Sequence, residues 1–432
     1  MTTEWVDELA GRVAGAIDAH RLESRQRGLA AYGAVATGGV ARQALTEPEL
    51  AARRWLVQDF AARPGYSVSI DAAANVIVRR AGRDAGAEPV MTGSHADTQP
   101  LGGWLDGAFG VVAGLEVMDA LDSLGAATRR PLDVVMWTNE EGSRFAPGLM
   151  GSVAYTAPER LAAFLSVTDA QGVRFQDARD AAVSDFKTHA GRQGWTWMER
   201  PLATPVHAYI EAHIEQGPVL ESQGLQVGCV TAIQGVRWYR VTVPGRSAHA
   251  GTTPLANRDD AQAKAVALAH AVLSHAAHCG DERLRVTIGR WDCAPGSINT
   301  IANRVIFTID ARHPESAALD AVRAAMDAAL PDGARIEVLQ DKATVHFAPP
   351  LVALATTACQ ALGLTHRQML SGAFHDAMPM AGFCPSTMLF APSIAGVSHH
   401  PAEDTAIADL TACTRALAWC LVHLAEPVTD QS

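Results

Sequence analysis

Apolar positions along the chain recur in two rhythms. From Leu50 to Ala62 they fall at helical spacing, with Thr46 and Glu49 placed to form a capping box, and Ser67 to Ile70 and Asn75 to Arg80 then alternate as strands do. Pro89-Val-Met-Thr92 reads as a short buried strand, and after an intervening loop helical spacing resumes from Ala108 to Leu124. Leu132 to Trp137 is a second buried-strand run, and Ala208 to His213 alternates as a third strand. Each of these three runs ends in residues able to do chemistry. His95 and Asp106 bracket the first strand-to-helix loop, Glu140 and Glu141 follow the second strand, and His213 closes the third. Strand ends are where an open α/β sheet gathers its active-site groups.

Past Gly217 the order becomes strand, helix, strand, strand, helix, strand. The strands fall near Trp238–Val243, Arg285–Trp291, Val305–Arg312 and Arg335–Leu339, with helices between Asp259 and Ala277 and between Ser316 and Leu330. That order predicts a ferredoxin-like βαββαβ domain over 218–334, inserted between two parts, 1–217 and 335–432, of a larger mixed-sheet α/β domain. The chain then returns to the larger domain. Leu351 to Leu362 is helical, His399 lies in a loop that runs on to Glu403, and a last helix spans Asp409 to Leu424.

Length and composition add a frame. A chain of 432 residues exceeds what one core comfortably organises, which agrees with two domains. With 48% hydrophobic and 19% charged residues, and no uninterrupted apolar run of bilayer length, the expectation is a globular protein with no membrane span. The net charge of −11, with no basic run to offset it, argues against nucleic acid as a partner. Seven cysteines without a Cys-x-x-Cys pair, and an acidic start in place of an export signal, predict unpaired core thiols in a cytoplasmic protein.

His95, Asp106, Glu140, Glu141, His213 and His399 form a set able to hold two divalent cations with one carboxylate shared, and zinc favours such nitrogen and oxygen ligands. Two cations roughly 3.5 to 4 Å apart can hold a hydroxide that is nucleophilic at neutral pH. Either Glu140 or Glu141 could take the proton of that water while its neighbour binds metal. Asp97 is placed to orient the His95 imidazole as an acceptor. One histidine at a strand end is ordinarily a core residue; three junctions converging on ligand-type side chains favour a metal site.

Taken in order, Gly93-Ser-His-Ala-Asp-Thr, Leu105-Asp-Gly, Asn139-Glu-Glu-Gly-Ser-Arg-Phe, His213-Ile-Glu-Gln-Gly-Pro, Ala248-His-Ala-Gly-Thr-Thr-Pro and Val397-Ser-His resemble the hydantoinase/carbamoylase branch of the M20 metallopeptidase family, from about Gly39 to the last helix. The resemblance implies a zinc-peptidase-like catalytic domain with a lid and dimerisation domain. It implies that His95, Asp106 and His213 hold one cation, that Asp106, Glu141 and His399 hold the other, and that Glu140 is the general base. The cations would be Zn²⁺, or Mn²⁺, Co²⁺ or Ni²⁺. His249 would reach the active site of the neighbouring subunit of a homodimer and stabilise the oxyanion. Asn299 and Arg312 would grip the carboxylate of a small substrate, and Gln216 would be a polar substrate contact. Read alone, Arg312 is better explained by simple pairing with Asp310 or Glu315.

The activity so implied is hydrolysis of an N-carbamoyl-L-amino acid to the amino acid, carbon dioxide and ammonia. Allantoate and 3-ureidopropionate are the nearest alternative substrates, then simple N-acyl amino acids, and last a non-catalytic binding role. Two departures from the family pattern bear on this. Phe374 stands in Ser371-Gly-Ala-Phe-His-Asp-Ala where the family has glycine, and His400 replaces a common asparagine beside His399.

Overall fold

The computed structural model describes residues 2–36 and 38–426. Residues 1, 37 and 427–432, which the expected larger domain includes, lie outside the described residues. In chain order the strands are β1 (Tyr66–Asp71), β2 (Val76–Arg80), β3 (Val90–His95), β4 (Leu132–Trp137), β5 (Trp197–Arg200), β6 (Ala208–Ile214) and β7 (Val227–Ile233). They continue as β8 (Gly235–Pro244), β9 (Arg285–Ala294), β10 (Arg304–His313), β11 (Arg335–Lys342), β12 (Val345–His346), β13 (His366–Ser371) and β14 (Ser386–Ala391).

The larger sheet runs β12-β7-β14-β6-β3-β4-β2-β1-β5, with β13 beside β7. Its centre is parallel. β14 pairs with β6, β6 with β3 and β3 with β4 in the same direction, whereas β2 is antiparallel to both β4 and β1. Four adjacent strands therefore end at one edge, in register as far as His95 opposite Trp137 and His213 opposite Phe390. β3, β4, β6 and β14 are buried along their whole length, as strands covered on both faces are, and this holds even for β6, whose Glu211 and His213 are enclosed with its apolar residues.

The helix Ala108–Ser123 lies against this centre. A Cβ added to Gly110 would stand 2.3 Å from the Ala212 carbonyl oxygen, and one on Gly114 would stand 2.9 Å from a Thr92 methyl. Only glycine lets the helix come so close, and that approach sets the Asp106–Gly107 turn beside the strand ends. The closing helix Ile407–Ala425 is long and apolar enough to cross a bilayer by length and composition, yet 61% of it is buried within the protein. It is a core helix. All seven cysteines are free, five of them buried.

The capping box does not form. Thr46 is the N-cap, but its hydroxyl donates to the Gln43 carbonyl, while Glu49 accepts the Leu45 N–H and binds Arg53. A buried guanidinium outcompetes the box for the carboxylate.

The chain divides into two compact units, one of residues 1–231, 347–369 and 374–432, the other of 232–346 and 370–373. The boundaries differ from 217/218 and 334/335 because β7 pairs with β14 of the larger sheet, while β11 belongs to the smaller one. The smaller unit is a four-stranded antiparallel sheet, β11-β8-β10-β9. The helices Ala261–His278 and Ser316–Ala328 share its core, with Val241, Leu268, Phe307 and Val322 at the centre.

Candidate metal centre

Asp106 is the hub. Its Oδ1 lies 3.1 Å from His213 Nε2 and 3.6 Å from His95 Nε2, and its Oδ2 lies 3.1 Å from His399 Nε2. Glu141 Oε2 is 3.5 Å from the same His399 nitrogen, and Glu140 Oε2 is 3.5 Å from His95 Nε2. Potential ligand atoms of His95, Asp106 and His213, and separately of Asp106, Glu141 and His399, all lie within 4.8 Å of one another. The structure thus brings all six strand-end acids and imidazoles together, around one carboxylate with an imidazole on each oxygen.

The donor set fits divalent cations. His95 and His213 each turn Nδ1 to a backbone carbonyl, of Asp97 and Ile214, at 2.9 Å, which leaves Nε2 of both rings facing Asp106. A histidine that donates from one nitrogen to a carbonyl presents the other as a ligand. Gly107 makes room for this. It sits at φ +64°, and a Cβ there would stand 2.3 Å from His95 Nε2.

Asp97 accepts from the His95 imidazole as expected, but with its backbone oxygen in place of its carboxylate. The His95 ring donates to its backbone oxygen, and its carboxylate, 3.8 Å from Nδ1, instead accepts the N–H groups of Glu140 and Glu141 at 3.3 Å each. It therefore fixes the Glu140–Glu141 turn; the imidazole is held by the main chain. Gln216, at φ +57°, donates to Asp106 Oδ2 at 2.9 Å and to Ser398 Oγ at 3.2 Å, while its own Oε1 is buried without a partner. His400 is turned away from the cluster, its Nδ1 accepting the Ala402 N–H at 3.1 Å, whereas His399 at φ +54° reaches Asp106 and Glu141.

Without cations the charges interact strongly. Burial would raise Asp106, but hydrogen bonds from His213, His399 and His95 hold it well below the usual carboxylate range. Glu140 is pushed well above that range by burial, which the neighbouring Asp376, Glu141 and Asp106 reinforce and His95 opposes. Burial and Asp106 push Glu141 up to about 7. His399 rises to about 9 through its hydrogen bond to Asp106. A carboxylate of raised pKa is suited to accept and return a proton.

Several supporting residues were not among the expected site residues, although His375 lies in the Ser371-Gly-Ala-Phe-His-Asp-Ala motif. Gln99 donates to Glu141 Oε2 at 2.6 Å. Glu211, fully buried, accepts from Ser94 Oγ at 2.6 Å and from the Ala377 N–H at 2.7 Å. The His375 ring stacks edge-on against His213, centroids 4.5 Å apart, and burial followed by the charge of His213 keeps it well below the usual histidine value. His375 and Glu211 also have potential ligand atoms grouped with His213. A buried position at period 2 on a strand, as at Glu211, looks like core until its partners are known.

The sequence of residues 91–423 matches the model of Peptidase family M20/M25/M40. The chain belongs to this family. Within M20, it is 37% identical over 395 residues to an N-carbamoyl-L-amino-acid amidohydrolase from Rhizobium meliloti, covering 90% of this chain and 92% of that one. It is 36% identical to an allantoate amidohydrolase from Escherichia coli K12, covering 92% and 96%. Among solved structures it resembles an amidase of the hydantoinase/carbamoylase family from Burkholderia multivorans, at 38% identity and a TM-score of 0.85, covering 95% and 99%. This M20 chain is therefore of the hydantoinase/carbamoylase branch, with a mixed α/β fold about a central mixed sheet, and M20 proteins are metal-dependent hydrolases.

His249, Asn299 and Arg312 lie in the smaller unit of this M20 protein, whereas Phe374 belongs to the larger one. His249 is exposed, its Nδ1 accepting the N–H groups of Gly251 and Thr252 at 3.1 and 3.2 Å. Asn299 is its neighbour, since the Ala250 N–H donates to the Asn299 carbonyl at 2.9 Å. Arg312 ion-pairs with Asp310 at 2.9 Å and donates to the Gly372 carbonyl at 2.9 Å.

Proposed function

We propose that this protein is a binuclear metal-dependent amidohydrolase that cleaves the ureido C–N bond of an N-carbamoyl-L-amino acid. The observation that carries this reading is the Asp106 carboxylate with imidazoles on both oxygens and the largely enclosed Glu140 beside His95. His95, Asp106 and His213 would hold one divalent cation and Asp106, Glu141 and His399 the other, Zn²⁺ or else Mn²⁺, Co²⁺ or Ni²⁺. When bound, they supply a water of lowered pKa as the nucleophile for the ureido carbonyl. Glu140 would accept a proton from the attacking water and deliver one to the leaving nitrogen, and the carbamic acid left by that cleavage would lose carbon dioxide to free the second amine, so that the amino acid, carbon dioxide and ammonia are the products. Asp97 keeps Glu140 at the required angle by binding its N–H, and Gln216 holds Asp106 in place. Burial of His95 and Asp106 strengthens each of these interactions by keeping bulk water away.

The smaller unit is read as the ferredoxin-like lid and dimerisation domain. Arg312 and Asn299 would bind the free carboxylate of the substrate, and His249 would serve the neighbouring subunit's site by donating to the oxyanion. The helix Ala261–His278 supports association, because Val266 (51%) and Leu273 (43%) are exposed, one helical face that water covers at a cost. Allantoate is the second reading, favoured by the similarity to the Escherichia coli relative. Reconstitution with Mn²⁺, Co²⁺ or Zn²⁺, followed by an ammonia-release assay over carbamoyl amino acids, allantoate, 3-ureidopropionate and acyl amino acids, decides between them. Highest kcat/KM on an N-carbamoyl-L-amino acid supports the proposal; ammonia from allantoate alone replaces it with the second reading; no turnover with any cation overturns both.

A further inference from the structure

The two expected cation positions are built from unlike parts. His95 and His213 stand on the buried ends of adjacent strands, whereas His399 is half exposed, in the left-handed region, on a loop. A ligand on a loop needs a tether, and one residue not assigned by the reading above supplies it. Glu403 is 1% exposed, and its Oε1 accepts the N–H groups of both Leu105 and Asp106 at 3.0 Å. Its Oε2 accepts the Ser398 hydroxyl at 2.8 Å, and that hydroxyl also stands 3.2 Å from Asp106 Oδ2. The Glu403 carbonyl in turn receives the Trp104 indole N–H at 3.1 Å. One carboxylate thus ties the turn carrying the shared ligand to the loop carrying His399. The neighbouring backbone is shaped to admit it, since a Cβ on Gly103 would lie 2.1 Å from the Glu403 carboxylate.

We infer that Glu403 is a positioning residue for the second cation position, the one formed by Asp106, Glu141 and His399. It works by fixing the distance between Asp106 and His399 and makes no contact with a cation itself. The inference rests on the two-cation reading. Loss of Glu403 leaves the strand-borne pair His95 and His213 in place but releases the loop ligand, so the two positions respond unequally.

Titration of the metal-free full-length protein with Mn²⁺, followed by calorimetry, tests this. The wild-type chain is expected to bind two ions. Glu403→Ala is expected to weaken the second by roughly 10- to 100-fold, the usual cost of removing a group that orients a ligand, with the first changed less than about threefold. Gly103→Ala, which displaces the carboxylate without removing it, should act in the same direction. Glu403→Gln should restore much of the second affinity, because the amide oxygen still accepts the two N–H groups and its NH₂ can donate to Ser398. Two unweakened ions in Glu403→Ala, or equal weakening of both, would overturn the inference, the latter marking Glu403 as a general structural residue. A wild-type chain that binds one ion refutes the two-cation reading itself, and is told apart because it needs no variant. A Co²⁺ absorption spectrum with both positions filled in wild type, and changed in Glu403→Ala only at the second equivalent, is the matching spectroscopic sign.

Discussion

At the scale of single residues, the site depends on a division of labour between two adjacent glutamates. Glu141 faces His399 and Gln99, while Glu140 faces His95 and is otherwise surrounded by acids. Glu140→Gln is expected to keep its cations, measured by metal analysis, while kcat falls by about 10²–10⁴, the range for loss of a general base. Turnover near wild type would remove Glu140 from that role. The backbone at Gly107 is as demanding. Gly107→Ala forces a methyl group against the His95 ring at a positive φ, and should abolish tight binding at the His95 and His213 position. Protonation supplies a further test. Glu141 at about 7 and His399 at about 9 hold protons at pH 6 when metal-free, and a cation must displace them. Apparent cation affinity should therefore rise from pH 6 to pH 8. Calorimetry in buffers of different ionisation heat should show proton release on binding, and heats independent of buffer would contradict the charge balance.

At the scale of elements, the site is held by the close seat of Ala108–Ser123 on the sheet. Gly114→Ala places a methyl group 2.9 Å from side chains of both Thr92 and Val134, and overpacking of this kind should lower stability by about 1–3 kcal/mol in a denaturant melt. A melt unchanged from wild type would show that the helix can shift. Much of this architecture is legible in the sequence. β4 announces itself as a largely apolar run ended by turn residues, β3 by the short apolar run that opens it, and β6 by its alternation. The elements the sequence hides are those lacking such contrast. β14, though bracketed by Pro385 and Pro392, ends in no ligand-type residue, β7 runs almost directly into β8, and the helix Phe175–Gln193 buries only five residues. Without β14, nothing in the sequence explains how His399 arrives at the sheet edge where His213 stands. His95, Glu140, Glu141 and His213 stand out because they end or follow strand patterns, Asp106 because it precedes a helix, and His399 through the Val397-Ser-His motif. Gln99, Glu211, His375 and Glu403 do not, since each acts through a partner more than 40 residues away or through a backbone N–H that no local pattern marks.

At the scale of the whole molecule, the proposal couples chemistry to association. Val266→Glu with Leu273→Glu should convert a dimer to a monomer in sedimentation analysis. If His249 serves the neighbouring site, kcat should fall with it while cation content stays constant. A monomeric variant with full activity would separate association from catalysis. All of this rests on one shared carboxylate. The most direct test is a crystal of the Mn²⁺- or Zn²⁺-loaded protein measured at the metal absorption edge. The expected result is two anomalous peaks roughly 3.5–4 Å apart, one beside His95 and His213, the other beside Glu141 and His399, with Asp106 touching both. A single peak, or peaks that leave Asp106 bound to only one ion, would contradict it.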